Sequence, residues 1–116
     1  PGPRHVLGLS DELALTPEQS RQIQQLYDDM LPQAIALGES ILTEEAGLEE
    51  AFRTGTITED DLASQLGTIE GLRAELRYVH LRTHLATIEI LSTHQVRQYN
   101  TLRGYEASEN NAHGNH

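Results

Sequence analysis

The chain has 116 residues, no Cys and a formal net charge of −10, with 18 acidic residues against 8 basic ones. Its length predicts a single domain, and the absence of Cys excludes a disulfide framework, a thiolate metal site and a Cys nucleophile. The acidic surface argues against binding to nucleic acid or to anionic lipid, because like charges repel.

The first 14 residues are a mixed lead-in to the domain. Gly2, Pro3 and Gly8 are expected to break regular structure, and Ser10 can cap one short helical turn over residues 8–14. The chain starts at Pro1 without Met, so we expect that a signal peptide or membrane anchor has been removed.

A strong helix start follows in Leu-Thr-Pro-Glu-Gln at residues 15–19. Thr16 is the predicted N-cap, Pro17 occupies the first helical position, and Gln19 can complete a capping box by reaching back to the Thr16 N–H. Apolar residues then recur at heptad spacing over residues 23–48, which predicts a helix to about Arg53.

Pro32 lies inside this first long helix, where we predict a kink rather than a break, because the apolar seam continues in phase on both sides. Residues 54–57 form the predicted turn. Thr58 caps a second long helix, and apolar residues continue at helical spacing over residues 62–90.

The pattern of the first helix start returns at residues 91–95 as Leu-Ser-Thr-His-Gln. Ser92 is the predicted cap and Gln95 again occupies the third helical position. A short helix is expected to end near Gly104, so the domain spans residues 15–106. The polar residues 107–116 form a predicted disordered tail.

Two long helices joined by a short turn must be antiparallel neighbours. The sequence therefore predicts an all-α fold. It consists of a long antiparallel helical hairpin with a kinked first helix, a short C-terminal helix and a short N-terminal helix. A stretched hairpin buries little of its surface and gains stability from dimerising, so we expect a homodimer.

The sharpest pair of candidate functional residues is His80 and His84. Residues four apart stack on one face of a helix, so both imidazoles can reach one metal ion. Without thiolate or thioether the chemistry suits zinc, nickel, cobalt or copper(II). The alternative interpretation is two unconnected histidines on a helix surface.

The hairpin register extends this candidate site. With the turn near residue 56, positions whose numbers sum to about 112 lie opposite each other, which brings Asp28 towards His84. His5 can close over the site from the lead-in, or it can remain unliganded. Asp28 or the neighbouring Asp29 can supply a carboxylate, and the alternative interpretation is a solvated acidic face, which suits Asp29 better than Asp28. His94 is interpreted as an exposed residue within a cap.

Two further histidines, His113 and His116, can bind metal loosely or simply belong to the tail. The sequence contains no G-x-S-x-G motif, no P-loop and no Rossmann glycine pattern, and no spacing singles out a catalytic triad. We therefore predict no enzymatic activity.

The two L-[S/T]-x-x-Q patterns that flank a long hairpin, followed by Tyr-Asn-Thr-Leu-Arg at residues 99–103, resemble the Spy/CpxP superfamily. The resemblance covers about residues 15–105 and points to the heavy-metal-resistance branch, with its CnrX-like sensors and ZraP-like zinc proteins. It implies a periplasmic homodimer of interlocked hairpins.

The resemblance also implies a ligand set. His80 stands where the sensor branch places a His near the end of the second long helix, and His84 takes the place of the next ligand. Asp28 is the acid nearest to the expected carboxylate. Only His5 precedes the first long helix, where the sensor pattern has two His.

Two functions follow as expectations from this resemblance. The first is a periplasmic protein that binds or senses a divalent metal, with a membrane signalling partner. The second is an ATP-independent chaperone of the Spy/CpxP type for unfolded client proteins, which can be linked to zinc. The strong negative charge departs from the basic cradle of Spy itself.

Overall fold

The computed structural model describes residues 1–110, with their side chains through Gly104. All regular secondary structure in this part of the chain is helical, as the sequence predicts. The five helices are α1 (Pro3–Gly8), α2 (Ser10–Leu13), α3 (Pro17–Thr54), α4 (Glu59–Ile90) and α5 (Thr93–Asn110). None of the described helices combines the length and the hydropathy that crossing a membrane requires.

The predicted capping box opens α3. The Thr16 N–H donates to Gln19 Oε1 and the Gln19 N–H donates to Thr16 Oγ1, both at 3.0 Å. These bonds satisfy donors that have no partner inside the helix. The helix then runs without a break through Pro32, in agreement with the continuous apolar seam.

The turn between α3 and α4 follows directly from Gly55. This residue adopts a left-handed φ of 69°, which costs glycine little because it has no Cβ. The Gly55 N–H donates to the Phe52 carbonyl at 3.2 Å and the Thr56 N–H donates to the Ala51 carbonyl at 3.0 Å. This pair of bonds is the Schellman pattern that ends helices. Thr58 Oγ1 then accepts from the Asp61 N–H and starts α4.

The described chain divides into two compact units, one formed by Leu31–His80 and the other by Pro1–Met30 together with the described residues from Leu81 onwards. The first, which we call the hairpin unit, contains the antiparallel hairpin around the turn. Gln65 Nε2 donates across it to the Glu44 carboxylate at 3.1 Å and to the Glu44 carbonyl at 3.3 Å. Ile41, Ile69 and Val79 are its buried apolar side chains.

The second unit, which we call the cap unit, holds the best-packed core of the described residues. Its buried side chains come from four helices and the segment after α4: Val6, Leu13, Ile23, Leu91 and Tyr99. Partly buried apolar side chains surround them: Leu7, Leu9, Leu15, Ile90, Val96 and Leu102. Burial of these side chains packs α1 and α2 against the first part of α3 and the last part of α4, which belong to the same unit.

The N-terminal lead-in is more regular than the sequence indicated. The expectation that Pro3 breaks regular structure was wrong, because Pro3 opens α1, where a missing N–H costs nothing, and Gly2 precedes it as the extended N-cap residue. Val6 of this helix is fully buried. The predicted short turn near Ser10 exists as α2, although Leu9 rather than Ser10 is its N-cap residue.

The C-terminal helix is longer than predicted. α5 continues past Gly104 and ends at Asn110. A single glycine weakens a helix by only about 1 kcal/mol and does not end it unless the chain turns there. Residues 111–116, which hold most of the predicted tail together with His113 and His116, lie outside the described residues.

Large apolar side chains remain exposed along α3 and α4. Nine of them have this property in the described part of the chain: Leu31, Ile35, Leu42, Phe52, Leu66, Tyr78, Leu81, Leu85 and Ile88.

Two isoleucines of α3 test whether the buried core of the cap unit contributes more to the free energy of unfolding than an exposed position of the hairpin unit. Ile23 is 0% exposed in the cap unit, whereas Ile35 is 52% exposed in the hairpin unit. We expect Ile23→Ala to lower the free energy of unfolding by about 2–5 kcal/mol, because it leaves a cavity. Ile35→Ala should lower it by less than about 1 kcal/mol. Urea unfolding followed by circular dichroism measures both values, and equal losses would contradict the core assignment.

Candidate functional site

The two histidines that the sequence selects lie one turn apart on α4. His80 is exposed and His84 is half-buried. Because residues four apart stack on the same side of a helix, both rings are on one face. This face is open to solvent at His80, so an ion can reach it without any opening of the core.

The predicted carboxylate, Asp28, is exposed on α3. Its Oδ1 accepts from Gln24 Nε2 at 2.9 Å, one turn earlier on the same helix. Asp29 repeats this arrangement, accepting from Gln25 Nε2 at 2.8 Å. Both pairs are surface hydrogen bonds of the helix-local kind. The solvated acidic face that the sequence indicated at Asp29 agrees with this exposure.

The remaining histidines are distributed over other elements. His5 lies in α1, half-buried, with its Nδ1 atom shielded from solvent. His94 is exposed in the first turn of α5. Within the residues that the structure describes, no group of three or more His, Cys, Asp or Glu side chains is placed to hold a metal ion.

Ion pairs on the hairpin helices have ordinary surface geometry. Arg73 lies 3.7 Å from Glu70 on its own helix and 3.9 Å from Glu45 on α3. At the start of α3, the hydrogen bond from Arg21 lowers the pKa of the Glu18 carboxyl. All five side chains are largely exposed, so these pairs contribute little to stability and mark no reactive carboxylate.

The cap unit contains a second capping box, in agreement with the Ser92 cap and the third-position Gln95 that the sequence predicts. The motif at the start of α5 forms the same capping box as that of α3. The Ser92 N–H donates to Gln95 Oε1 at 2.9 Å and the Gln95 N–H donates to Ser92 Oγ at 3.1 Å. The two boxes thus have equivalent geometry at equivalent positions.

The glutamines of the two boxes also bind each other. Gln19 Nε2 donates to Gln95 Oε1 at 2.8 Å, and Gln95 Nε2 donates to Gln19 Oε1 at 3.1 Å. Each amide nitrogen additionally donates to a backbone carbonyl, that of Ile90 from Gln19 and that of Leu13 from Gln95. We call this arrangement the paired caps.

The paired caps are a positioning device rather than a reactive centre, since both side chains are neutral amides. Sequence reasoning assigned each glutamine to its own helix and missed the contact between them. The signal that was available is the repetition itself, because the same third-position Gln appears in both L-[S/T]-x-x-Q motifs.

No family model, curated protein or solved structure matches this chain. The resemblance to the Spy/CpxP superfamily therefore stays a prediction from the two motifs and the hairpin between them.

The paired caps yield a stability prediction. Gln95 is buried and takes part in bonds to α3, to the Leu13 carbonyl and within its own cap. Gln95→Ala should lower the free energy of unfolding by about 1–3 kcal/mol, because it leaves buried polar groups without partners. Gln24→Ala, which removes only an exposed bond to Asp28, should cost less than about 0.5 kcal/mol.

A double-mutant cycle separates the contact between the caps from the caps themselves. Urea unfolding of Gln19→Ala, Gln95→Ala and the double variant should give a coupling energy of about 0.5–3 kcal/mol. Strictly additive losses would contradict a direct interaction between the two amides.

Proposed function

We propose that this chain is a metal-binding protein of the periplasmic heavy-metal-resistance type, which binds a divalent transition metal through His80 and His84. The observation that carries the proposal is the position of the two imidazoles on consecutive turns of α4, with His80 open to solvent. Zinc, nickel, cobalt and copper(II) all accept neutral imidazole ligands.

The two histidines supply half of a four-ligand sphere such as that of zinc. Asp28 is the proposed carboxylate ligand, since its hydrogen bond to Gln24 is exposed and costs little to exchange for a metal. His5, water or a second copy of the chain would provide the remaining ligand. The proposed site is therefore completed by movement or by assembly.

A homodimer is part of this proposal. Leu81, Leu85 and Ile88 are exposed on α4 within one turn of His84 along the chain. At about 100° per residue, Leu81 and Ile88 point within about 60° of the His84 direction. A second copy that packs on these side chains would remove apolar surface from water and place its own residues beside His84.

A second candidate function is an ATP-independent periplasmic chaperone, which can be linked to zinc. The observation that favours it is the number of large apolar side chains exposed on α3 and α4. Exposed apolar surface of this kind is typical of sites that bind other proteins. A metal sensor with a membrane signalling partner would use the same surface to contact that partner.

Calorimetric titration with zinc, nickel, cobalt and copper(II) tests the metal site. We expect one ion per His pair in the wild-type protein, and a loss of affinity of about tenfold or more in His80→Ala and in His84→Ala, because each removes a direct ligand. His94→Ala, which changes an exposed histidine of α5, is the matched control and should bind as the wild type does.

Two results would contradict this assignment. Unchanged binding in the His80→Ala/His84→Ala variant would exclude the helix pair. Loss of binding only in His113→Ala/His116→Ala would place the ligands in the C-terminal residues instead. Anomalous scattering from crystals grown with the metal would locate the ion directly.

The chaperone candidate has its own measurement. If the exposed apolar surface holds unfolding clients, the protein at a several-fold molar excess should suppress the aggregation of a reduced or heated client without ATP. Leu42→Ser should weaken the suppression, because Leu42 is the most exposed of the large apolar side chains given above. Absence of suppression with and without zinc would count against this function.

A further inference from the structure

The strongest concentration of charge in this protein lies around the turn of the hairpin. Residues 42–66 contain seven acidic residues and a single Arg, which leaves a net charge of −6 out of −10 for the whole chain. We call this segment the acidic end. Its acidic residues are Glu44, Glu45, Glu49, Glu50, Glu59, Asp60 and Asp61.

Arg53 is the single basic residue of the acidic end, and it compensates the charge of one neighbouring carboxylate. The Arg53 guanidinium hydrogen-bonds and ion-pairs with Glu50, one turn earlier on α3. Glu49 and Glu59 are both exposed to solvent. The negative potential of the segment is therefore directed outwards.

Three large apolar side chains are exposed within the same segment. Leu42, Phe52 and Leu66 are 70%, 58% and 44% exposed. Leu42 and Phe52 are ten residues apart on α3, a span of about 15 Å or nearly three helical turns. Glu49 follows Leu42 by seven residues, so it lies on the same side of the helix. Phe52 is turned by about 80° from Leu42 around the helix axis, so these apolar and acidic side chains lie on neighbouring parts of the exposed side of α3.

Charge decides which partner such a surface can accept. A second copy would bring a segment of equal negative charge against it, and nucleic acid or anionic lipid would be repelled in the same way. An amphipathic helix with apolar side chains on one face and Lys or Arg on its flanks matches both properties, because apolar contacts supply affinity and the flanking charges select the sign.

We propose that the acidic end is a docking surface for cationic amphipathic segments of other proteins, with Leu42, Phe52 and Leu66 as the apolar contacts and Glu49 and Glu59 as the charge contacts. This inference deepens the second candidate function by naming a client class. It does not depend on the histidine pair, so failure of metal binding leaves it standing.

Fluorescence anisotropy with labelled synthetic peptides tests the proposal on the full chain. The probe is a helix-forming peptide of about 18 residues with a leucine face and flanking lysines. One matched peptide carries Glu in place of every Lys, and another carries Ser in place of every Leu. We expect only the Lys/Leu peptide to bind, with an affinity that falls several-fold as NaCl rises from about 50 to 300 mM.

Variants of the chain locate the surface. Leu42→Ser/Phe52→Ser should weaken binding of the Lys/Leu peptide about tenfold or more, whereas Ile35→Ser, on α3 but outside the acidic end, should change it by less than about twofold. Glu49→Gln/Glu59→Gln should weaken binding and flatten its salt dependence. Asp11→Asn/Glu12→Asn alters the net charge equally in the exposed part of α2 and should do neither.

Three outcomes would overturn the proposal. The Glu/Leu peptide could bind as tightly as the Lys/Leu peptide, which would show apolar adhesion without charge selection. The control variants could weaken binding as much as the acidic-end variants. Sedimentation could show that Leu42→Ser/Phe52→Ser dissociates an oligomer, so that a second copy occupies the surface. Peptide binding without suppression of client aggregation would support the docking surface and reject only the chaperone function.

Discussion

The reciprocal hydrogen bonds between Gln19 and Gln95 connect residues that are 76 positions apart in the chain. In each glutamine, the amide oxygen accepts from the backbone N–H of its own cap residue, and the amide nitrogen donates to the other glutamine. A local capping motif therefore also makes a tertiary contact. The core of Val6, Leu13, Ile23, Leu91 and Tyr99 belongs to the same unit. The fold of that unit therefore depends on two neutral side chains whose bonds salt does not screen.

The sequence predicted those features that are encoded within a few residues. The helix starts at Thr16, Thr58 and Ser92 and the glycine turn at position 55 each involve partners three to five residues apart. The first helix was missed because Pro favours the first position of a helix but disrupts a helix interior, and the local sequence does not distinguish the two cases. Burial of Val6 in the core favours the helix. The contact of the paired caps was missed because it requires the tertiary fold.

The candidate metal site likewise has one part that the local sequence predicts and another part that depends on the tertiary fold. The stacking of His80 and His84 follows from helical periodicity alone. The placement of Asp28 depends on the register between two helices, where a shift of a single residue turns a side chain by about 100°. Metal coordination requires distances within a few tenths of an ångström. Spacing in the sequence can therefore select residues of the right chemistry, but it cannot assemble them into a sphere.

The exposed apolar residues follow from the geometry of a two-helix hairpin. Each helix can cover only one stripe of its neighbour, and the stripe of α3 and α4 is occupied by side chains such as Ile41, Ile69 and Val79. In the hairpin unit, an apolar residue outside that stripe stays in water unless another chain covers it.

The charges around each exposed apolar surface determine which partner that surface can accept. Leu81, Leu85 and Ile88 lie in a part of α4 where Arg and Glu are interspersed, so a second copy can approach them without strong repulsion. Leu42 and Phe52 lie in the acidic end, whose seven acidic residues accompany one Arg, so a second copy of this segment would be repelled and a cationic segment would be attracted. The two proposed surfaces therefore suit different occupants, a second copy of the chain on the last turns of α4 and a cationic partner at the acidic end.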